Sequence, residues 1–224
     1  MRRPRTWGAI WCLSIWCLGA TAVVAEPSGR PKLLLWGDTH LHTNYSFDAF
    51  LNNNLSADPD TAYRFAKGEP VIHPYHRARV QLRTPLDFLV VSDHAEYLGG
   101  LRDIYQNGLD PEDAGPIDKI RNWYATRTIR QAIDAGEGAP LFVSVLPVSE
   151  DPSSAARNFA ERAQAQLPVD PRVARSAWRE IARTADAHYQ PGRFTTFIGW
   201  EWSSIPGGAN LHRVVVSDAS ARAA

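Results

Sequence analysis

The chain has 224 residues, and its 24 lysines and arginines balance 24 aspartates and glutamates. No basic stripe or interleaving of aromatic and basic residues marks a nucleic-acid surface. Both cysteines, Cys12 and Cys17, lie in the first 25 residues, so the remainder has no thiol for a disulfide or a thiolate metal site.

Those first residues read as an export signal rather than as part of the fold. Arg2, Arg3 and Arg5 form a basic start, Trp7 to Val24 is apolar without an acidic residue, and Val23-Val24-Ala25 offers a cleavage point before Glu26. An uncleaved anchor is the alternative, since about 20 apolar residues span a bilayer. The expectation is a signal peptide over 1–25 and a periplasmic or secreted domain over 26–224, with no membrane attachment after cleavage. That length suffices for one domain with a sizeable core.

The stretch Leu33 to Asp48, LLLWGDTHLHTNYSFD, follows. An apolar run stops at Gly37-Asp38, and His40 and His42 come two residues apart, on the same side of an extended backbone. Asp38 and Asp48 bracket the pair with carboxylates. Two histidines making ordinary hydrogen bonds at a strand end is the bland account. Next, Asp58-Pro59 predicts an N-cap with proline in the first turn, a short helix through Thr61 to Lys67, and a stop at Gly68. Glu69 to Arg83 reads as a loop carrying His73 and His76 around Pro74.

Phe88 to Val91 is a continuous apolar run, the pattern of a strand buried on both faces, and it ends in Ser92-Asp93-His94. The middle of the chain is helical. Ile120, Trp123, Tyr124, Ile129, Ala132 and Ile133 predict one apolar face, closed by Gly136. Leu141 to Leu146 predicts a short strand. Asp151-Pro152 and Asp170-Pro171 each start a helix, the second with Val173, Ala174, Ala177, Trp178, Ile181, Ala182 and Ala185 inward and His188 near the negative end of its dipole.

Phe194 to Trp202 is a third buried strand carrying Glu201, whose bland partner is Arg193 or Arg213. Ile205 to Asn210 reads as a turn, and Leu211 to Val216 as a fourth strand opening with His212. An antiparallel hairpin of these two strands brings Glu201 and His212 to one rim. His40, His42, Asp48, His94, Glu201 and His212 thus gather at or beside strand ends. Imidazole with carboxylate and no thiol favours Zn, Mn or Fe over Mg or Ca. The number of ligands suggests more than one ion, a pair of which can clamp the oxygens of a phosphate undergoing displacement. A nucleophile elbow and a Gly-rich phosphate loop are both missing.

Asp38-Thr39-His40-Leu41-His42-Thr43, Ser92-Asp93-His94, Gly199-Trp200-Glu201 and Leu211-His212 resemble the successive motifs of the PHP (polymerase and histidinol phosphatase) superfamily. Within it, GDTHLHT, AYRFAKGE, PLDFLVVSDHAEYLG and GWEWSS resemble the bacterial family called domain of unknown function 3604. The resemblance implies a distorted seven-stranded β/α barrel around two or three divalent ions. It gives His40 and His42 to one ion, Glu201 to a bridging role, and His94, Asp48 and His212 to the remaining positions. It also implies hydrolysis of a small-molecule phosphate ester by a metal-bound hydroxide, with Glu201 and His94 as catalytic residues. Arg64, Arg77 or Arg213 would hold the phosphate. The superfamily's later histidine and closing Asp-x-His motif have no counterpart, and only about four strands are legible. The expected architecture is therefore an incomplete PHP-like barrel with weak or absent activity. A non-catalytic metal-containing binding protein and an inactive fragment are the alternatives.

Overall fold

The computed structural model describes residues 33–109, 114–145, 169–204 and 211–224. The export segment over 1–25, the helix after Asp151-Pro152 and the turn over 205–210 lie outside these residues. The elements belong to a compact unit, Leu35–Ala224. In chain order they are β1 (Gly37–Leu41), α1 (Phe47–Leu51), α2 (Pro59–Ala66), β2 (Val71–Ile72), β3 (Arg79–Val80) and β4 (Phe88–Val91). There follow α3 (Gly100–Asn107), α4 (Pro116–Asp134), α5 (Gly138–Val145), α6 (Pro171–His188), β5 (Thr195–Ser204) and β6 (Leu211–Ser217).

The class is mixed α/β, with a curled, half-barrel sheet in the order β1-β4-β5-β6. β1, β4 and β5 run parallel, and β6 returns antiparallel along β5. Parallel neighbours need crossover connections, which the helical segments supply. Central β4 has Leu89, Val90 and Val91 fully buried, as its unbroken apolar run requires. Gly37 opens β1 because a Cβ there would lie 2.4 Å from the Phe88 ring across the ladder. The preceding apolar residues Leu35 and Trp36 are exposed, and the strand begins where the apolar run stops.

Two cores hold the helices in place. Ala62, Tyr63 and Ala66 of α2 meet Leu89 and Val91 of β4, Ile181 and Ala185 of α6, and Ile198 of β5. Phe50 and Leu51 of α1 meet Leu101 and Ile104 of α3 and Ile129 and Ile133 of α4. Burial of each leucine, isoleucine, valine or phenylalanine among them contributes about 1.5–3 kcal/mol. Of the three expected Asp-Pro helix starts, the two within the described residues are capped: Asp58 accepts from Thr61 N at 2.9 Å, and Asp170 accepts from Arg172 N at 2.7 Å. His188 does stand in the last turn of α6, and it also stacks on Tyr63 and lies 2.9 Å from Asp60 Oδ1, tying α6 to α2.

Three local expectations are corrected. Leu141 to Val145 is the end of α5, not a strand; the Leu141 amide donates to Glu137 O at 3.0 Å, a helical bond. A short apolar run has no period by which to tell a strand from a helix. The apolar face of α4 is only half used: Ile129 and Ile133 are buried, whereas Ile120, Trp123 and Tyr124 are exposed. Within 69–83, β2 and β3 form a small antiparallel hairpin, with Val71 opposite Val80 and Ile72 opposite Arg79. Among the described residues no helix is long and apolar enough to cross a membrane.

Candidate metal centre

Parallel β1, β4 and β5 bring their carboxyl ends together, and antiparallel β6 brings its beginning to the same place. His40 lies near the end of β1, inside a register irregularity between Asp38 and Leu41. Such a bulge re-aims a side chain. His42 follows two residues on, with its ring centroid 5.0 Å from that of His40. His94 pairs through its backbone with Glu201, and the Glu201 amide donates to Asp93 O at 3.0 Å. Ser203 stands opposite His212 in the β5–β6 ladder, so Glu201, two residues before Ser203, shares their face.

Glu201 is the hub. Its Oε2 lies 2.8 Å from His40 Nε2, 2.7 Å from His42 Nε2 and 3.6 Å from His94 Nε2, and its Oε1 meets His212 Nδ1. Its side chain is about 1% exposed. Burial opposes ionisation, but the hydrogen bond to His40 and the nearby imidazoles outweigh it, and the Glu201 pKa falls below the ordinary value. The arginine pairing considered for Glu201 does not occur among the described residues; Arg213 lies over the Trp202 ring instead.

Asp48 closes the other side. It faces His42 Nδ1 at 3.0 Å and His94 Nε2 at 3.9 Å, and it accepts from Ser46 Oγ at 2.5 Å. Here too burial opposes ionisation, and the bonds from His42 and Ser46 hold the pKa well below the usual range. Burial likewise disfavours charge on His42, yet its bond to Asp48 and the surrounding carboxylates push its pKa up.

All six residues expected to gather do so. They make three sets of converging donors, each able to hold a metal ion: His40 with His42 and Glu201; His42 with Asp48 and His94; and His94 with Glu201 and His212. The fit can be tested on His42 Nε2. This nitrogen is buried and lacks a hydrogen-bond partner in spite of the Glu201 oxygen 2.7 Å away. With His40 they form one of the groups that could hold a metal ion, in which this nitrogen and this oxygen would both serve as donors. Asp38 does not join them; it accepts from the His40 amide at 2.8 Å. His73 and His76 stack on each other in the β2–β3 connection, and His73 Nδ1 accepts from the amides of Tyr75 and His76.

Four further residues support the cluster, and none of them was among the six expected to gather. Buried Asp93 accepts from Thr43 N at 2.5 Å and Thr43 Oγ1 at 2.7 Å, which clamps the end of β4 to the residue after His42. Burial outweighs these bonds and pushes the Asp93 pKa up to about 6. Ser46, just before α1, gives its hydroxyl to Asp48 rather than to the helix, and it accepts from the His94 amide at 3.2 Å. Glu96 reaches His94 Nδ1 at 3.4 Å and accepts from the Ser203 amide at 3.1 Å. Ser203 Oγ lies between His94 Nδ1 and His212 Nδ1, at 3.2 and 2.8 Å. Supports of this kind fix ring orientation in metal sites. The local signal was polarity inside buried strand ends, visible in Ser92-Asp93-His94-Ala95-Glu96.

Fold and site together define a mixed α/β protein whose sheet gathers a histidine–carboxylate cluster suited to divalent cations. A family model described as a protein of unknown function (DUF3604) matches residues 30–224, and the chain belongs to that family. No curated protein and no solved structure matches it.

Proposed function

We propose that the protein is an exported metal-dependent hydrolase of the PHP type, acting on a small-molecule phosphate ester. The observation that carries the reading is the convergence of His40 and His42 on buried Glu201, with His42 Nε2 buried and without a hydrogen-bond partner. The thiol-free donor set favours Zn or Mn, with Fe as a further choice, and three sets of donors allow two or three ions. Divalent ions in such a site supply Lewis acidity toward a phosphoryl oxygen and lower the pKa of water.

The chain's own residues do the rest. Glu201 offers one oxygen toward His40 and His42 and the other toward His212, the disposition of a bridging carboxylate. His94 is steadied at Nδ1 by Ser203 and Glu96, which turns Nε2 toward the cluster as a donor for a metal ion. Asp48 and Ser46 set the far wall. The PHP-type barrel assignment rests on these strand-end motifs and the parallel β1-β4-β5 order; export rests on the basic and apolar pattern of residues 1–25.

Metal analysis of the purified chain, with an aryl phosphate assay, tests the proposal. Stoichiometric divalent metal with phosphatase turnover, both lost in His40→Ala, is the expected result. Metal without turnover across a broad ester panel would replace the enzyme by a metal-containing binding protein. Correctly folded protein that takes up no metal would overturn both.

A further inference from the structure

Away from the cluster, a cleft of about 340 Å³ opens between α2 and the β2–β3 hairpin. Arg64, Arg77 and Arg79 line it, together with Ser56 and an apolar wall that includes Ile72. None of the six residues of the candidate metal centre lines it, so ligand binding in this cleft does not depend on the proposed hydrolase activity.

The three guanidinium groups are not equivalent. Arg64 is held by acids, with Nε 3.2 Å from Glu69 Oε2 and Nη1 3.7 Å from Asp60 Oδ2. Lys67 shares Glu69 at 3.4 Å. Arg77 reaches only a neutral partner, donating from Nη1 to Ser56 Oγ at 3.2 Å. Among the described residues, no carboxylate comes within ion-pair distance of Arg77 or Arg79. Positive charge is therefore uncompensated on one side of the cleft. Arg77 also holds a left-handed backbone, with φ of +56°. Two hairpin bonds keep it there, Arg77 N to His73 O at 3.0 Å and His73 N to Ala78 O at 2.8 Å.

We propose that this cleft binds a tetrahedral oxyanion, sulfate or phosphate, carried on a small organic group. An arginine fork offers two parallel N–H donors to two oxygens. Two forks and the Ser56 hydroxyl together present more donors than the two oxygens of a carboxylate accommodate, whereas a tetrahedral anion offers three or four. The Ile72 side of the cleft gives an apolar surface to the organic part, and the volume is at the small end of ligand pockets, roughly 300–1,000 Å³.

Calorimetric titration of the full chain at constant ionic strength tests the proposal, with inorganic sulfate, inorganic phosphate, phenylphosphonate and acetate as probes. Saturable binding of sulfate and phosphate is expected, with phenylphosphonate tighter and acetate about tenfold weaker or worse. The double variant Arg77→Gln/Arg79→Gln should lose about tenfold or more in affinity. His40→Ala/His42→Ala should change it less than about twofold, as expected for sites that share no residues. Non-saturating binding, or equal binding by the arginine variant, overturns the site. Loss in the histidine variant alone would assign the anion to the metal centre and overturn it too. Equal affinity for phosphate and phenylphosphonate overturns the organic ligand. Should the arginine variant fail to fold, phenylglyoxal labelling of the unaltered chain replaces it. Sulfate should then protect Arg77 and Arg79, and unchanged labelling refutes the proposal.

Discussion

The cluster at the sheet's carboxyl end and the arginine cleft beside α2 each gather like groups, but they are built in opposite ways. Glu201 and His94 are buried, and hydrogen bonds involving Ser203, Glu96 and Ser46 hold the cluster from behind. Arg77 and Arg79 are exposed, and they stand on a hairpin of two-residue strands. Burial makes an uncompensated charge expensive, so the first arrangement demands a counter-charge, whereas solvent screens the second. Substitutions should therefore act on folding and ligand retention together in the cluster, and on ligand affinity alone in the cleft.

Glu201→Gln should break the contrast most sharply. The amide keeps the shape but removes the charge shared by four imidazoles. Metal affinity should fall by more than the roughly 10–100-fold that loss of an outer support costs. Metal titration of the refolded variant measures this, and retention within tenfold would refute the hub role.

The next effect is a pH dependence. Asp93 has its pKa raised to about 6 by burial, so the folded chain keeps a proton that the unfolded chain releases near 3.8. Between those values the native state binds more protons, and stability of the metal-free protein should fall as pH rises from about 4 to 6. The loss is on the order of 2–3 kcal/mol. Asp48 and Glu201, with lowered pKa values, contribute stability that is lost in the acid range below their unfolded values. His42, with a raised pKa, contributes stability that is lost as pH rises from its ordinary value through the raised one. Asp93→Asn retains partners for both Thr43 groups and should flatten the 4–6 window in denaturant titrations. An unchanged slope would dismiss Asp93 as its source.

A smaller change tests the frame behind the cluster. Gly199 packs so closely that a Cβ would lie 2.5 Å from Val90 Cγ1 and 2.8 Å from Val215 O. Gly199→Ala should cost about 1–3 kcal/mol by overpacking β5 between its neighbours. Thermal melts read this directly, and a neutral result would mean that the β5–β6 approach relaxes freely. Least disruptive is Asp58→Ala, which removes the α2 cap at about 1 kcal/mol. Anion affinity at the cleft should fall slightly while metal affinity stays constant. Equal loss at both sites would erase the contrast.

The cluster residues were legible because their chemistry is local: His40-x-His42, Ser92-Asp93-His94 and Glu201 each stand where an apolar run meets polar residues. The buried strands and the capped starts of α2 and α6 were legible for the same reason. Their supports were not, because Thr43 meets Asp93 across 50 residues, and Glu96 meets Ser203 across 107. Single polar residues so far apart leave no pattern to read. Leu141 to Val145 was misread because apolarity alone carries no period, and α4 because an apolar stripe does not say how much of it is covered. Arg64 and Arg77 were noticed for phosphate binding, but their partner Arg79 depended on a hairpin hidden in an apparent loop.

The pairing of Ser203 with His212 has a consequence for assembly of the chain. β6 is largely exposed along its length, so side-chain burial says little about which residue should sit opposite which. A slip of one position would turn His212 to the opposite side of the sheet and leave Glu201 short of one imidazole. The contact between these two side chains therefore acts as an alignment check, rejecting misthreaded hairpins that the hydrophobic pattern would tolerate. The acid at the centre of the cluster thereby also keeps the sheet's last strand in step.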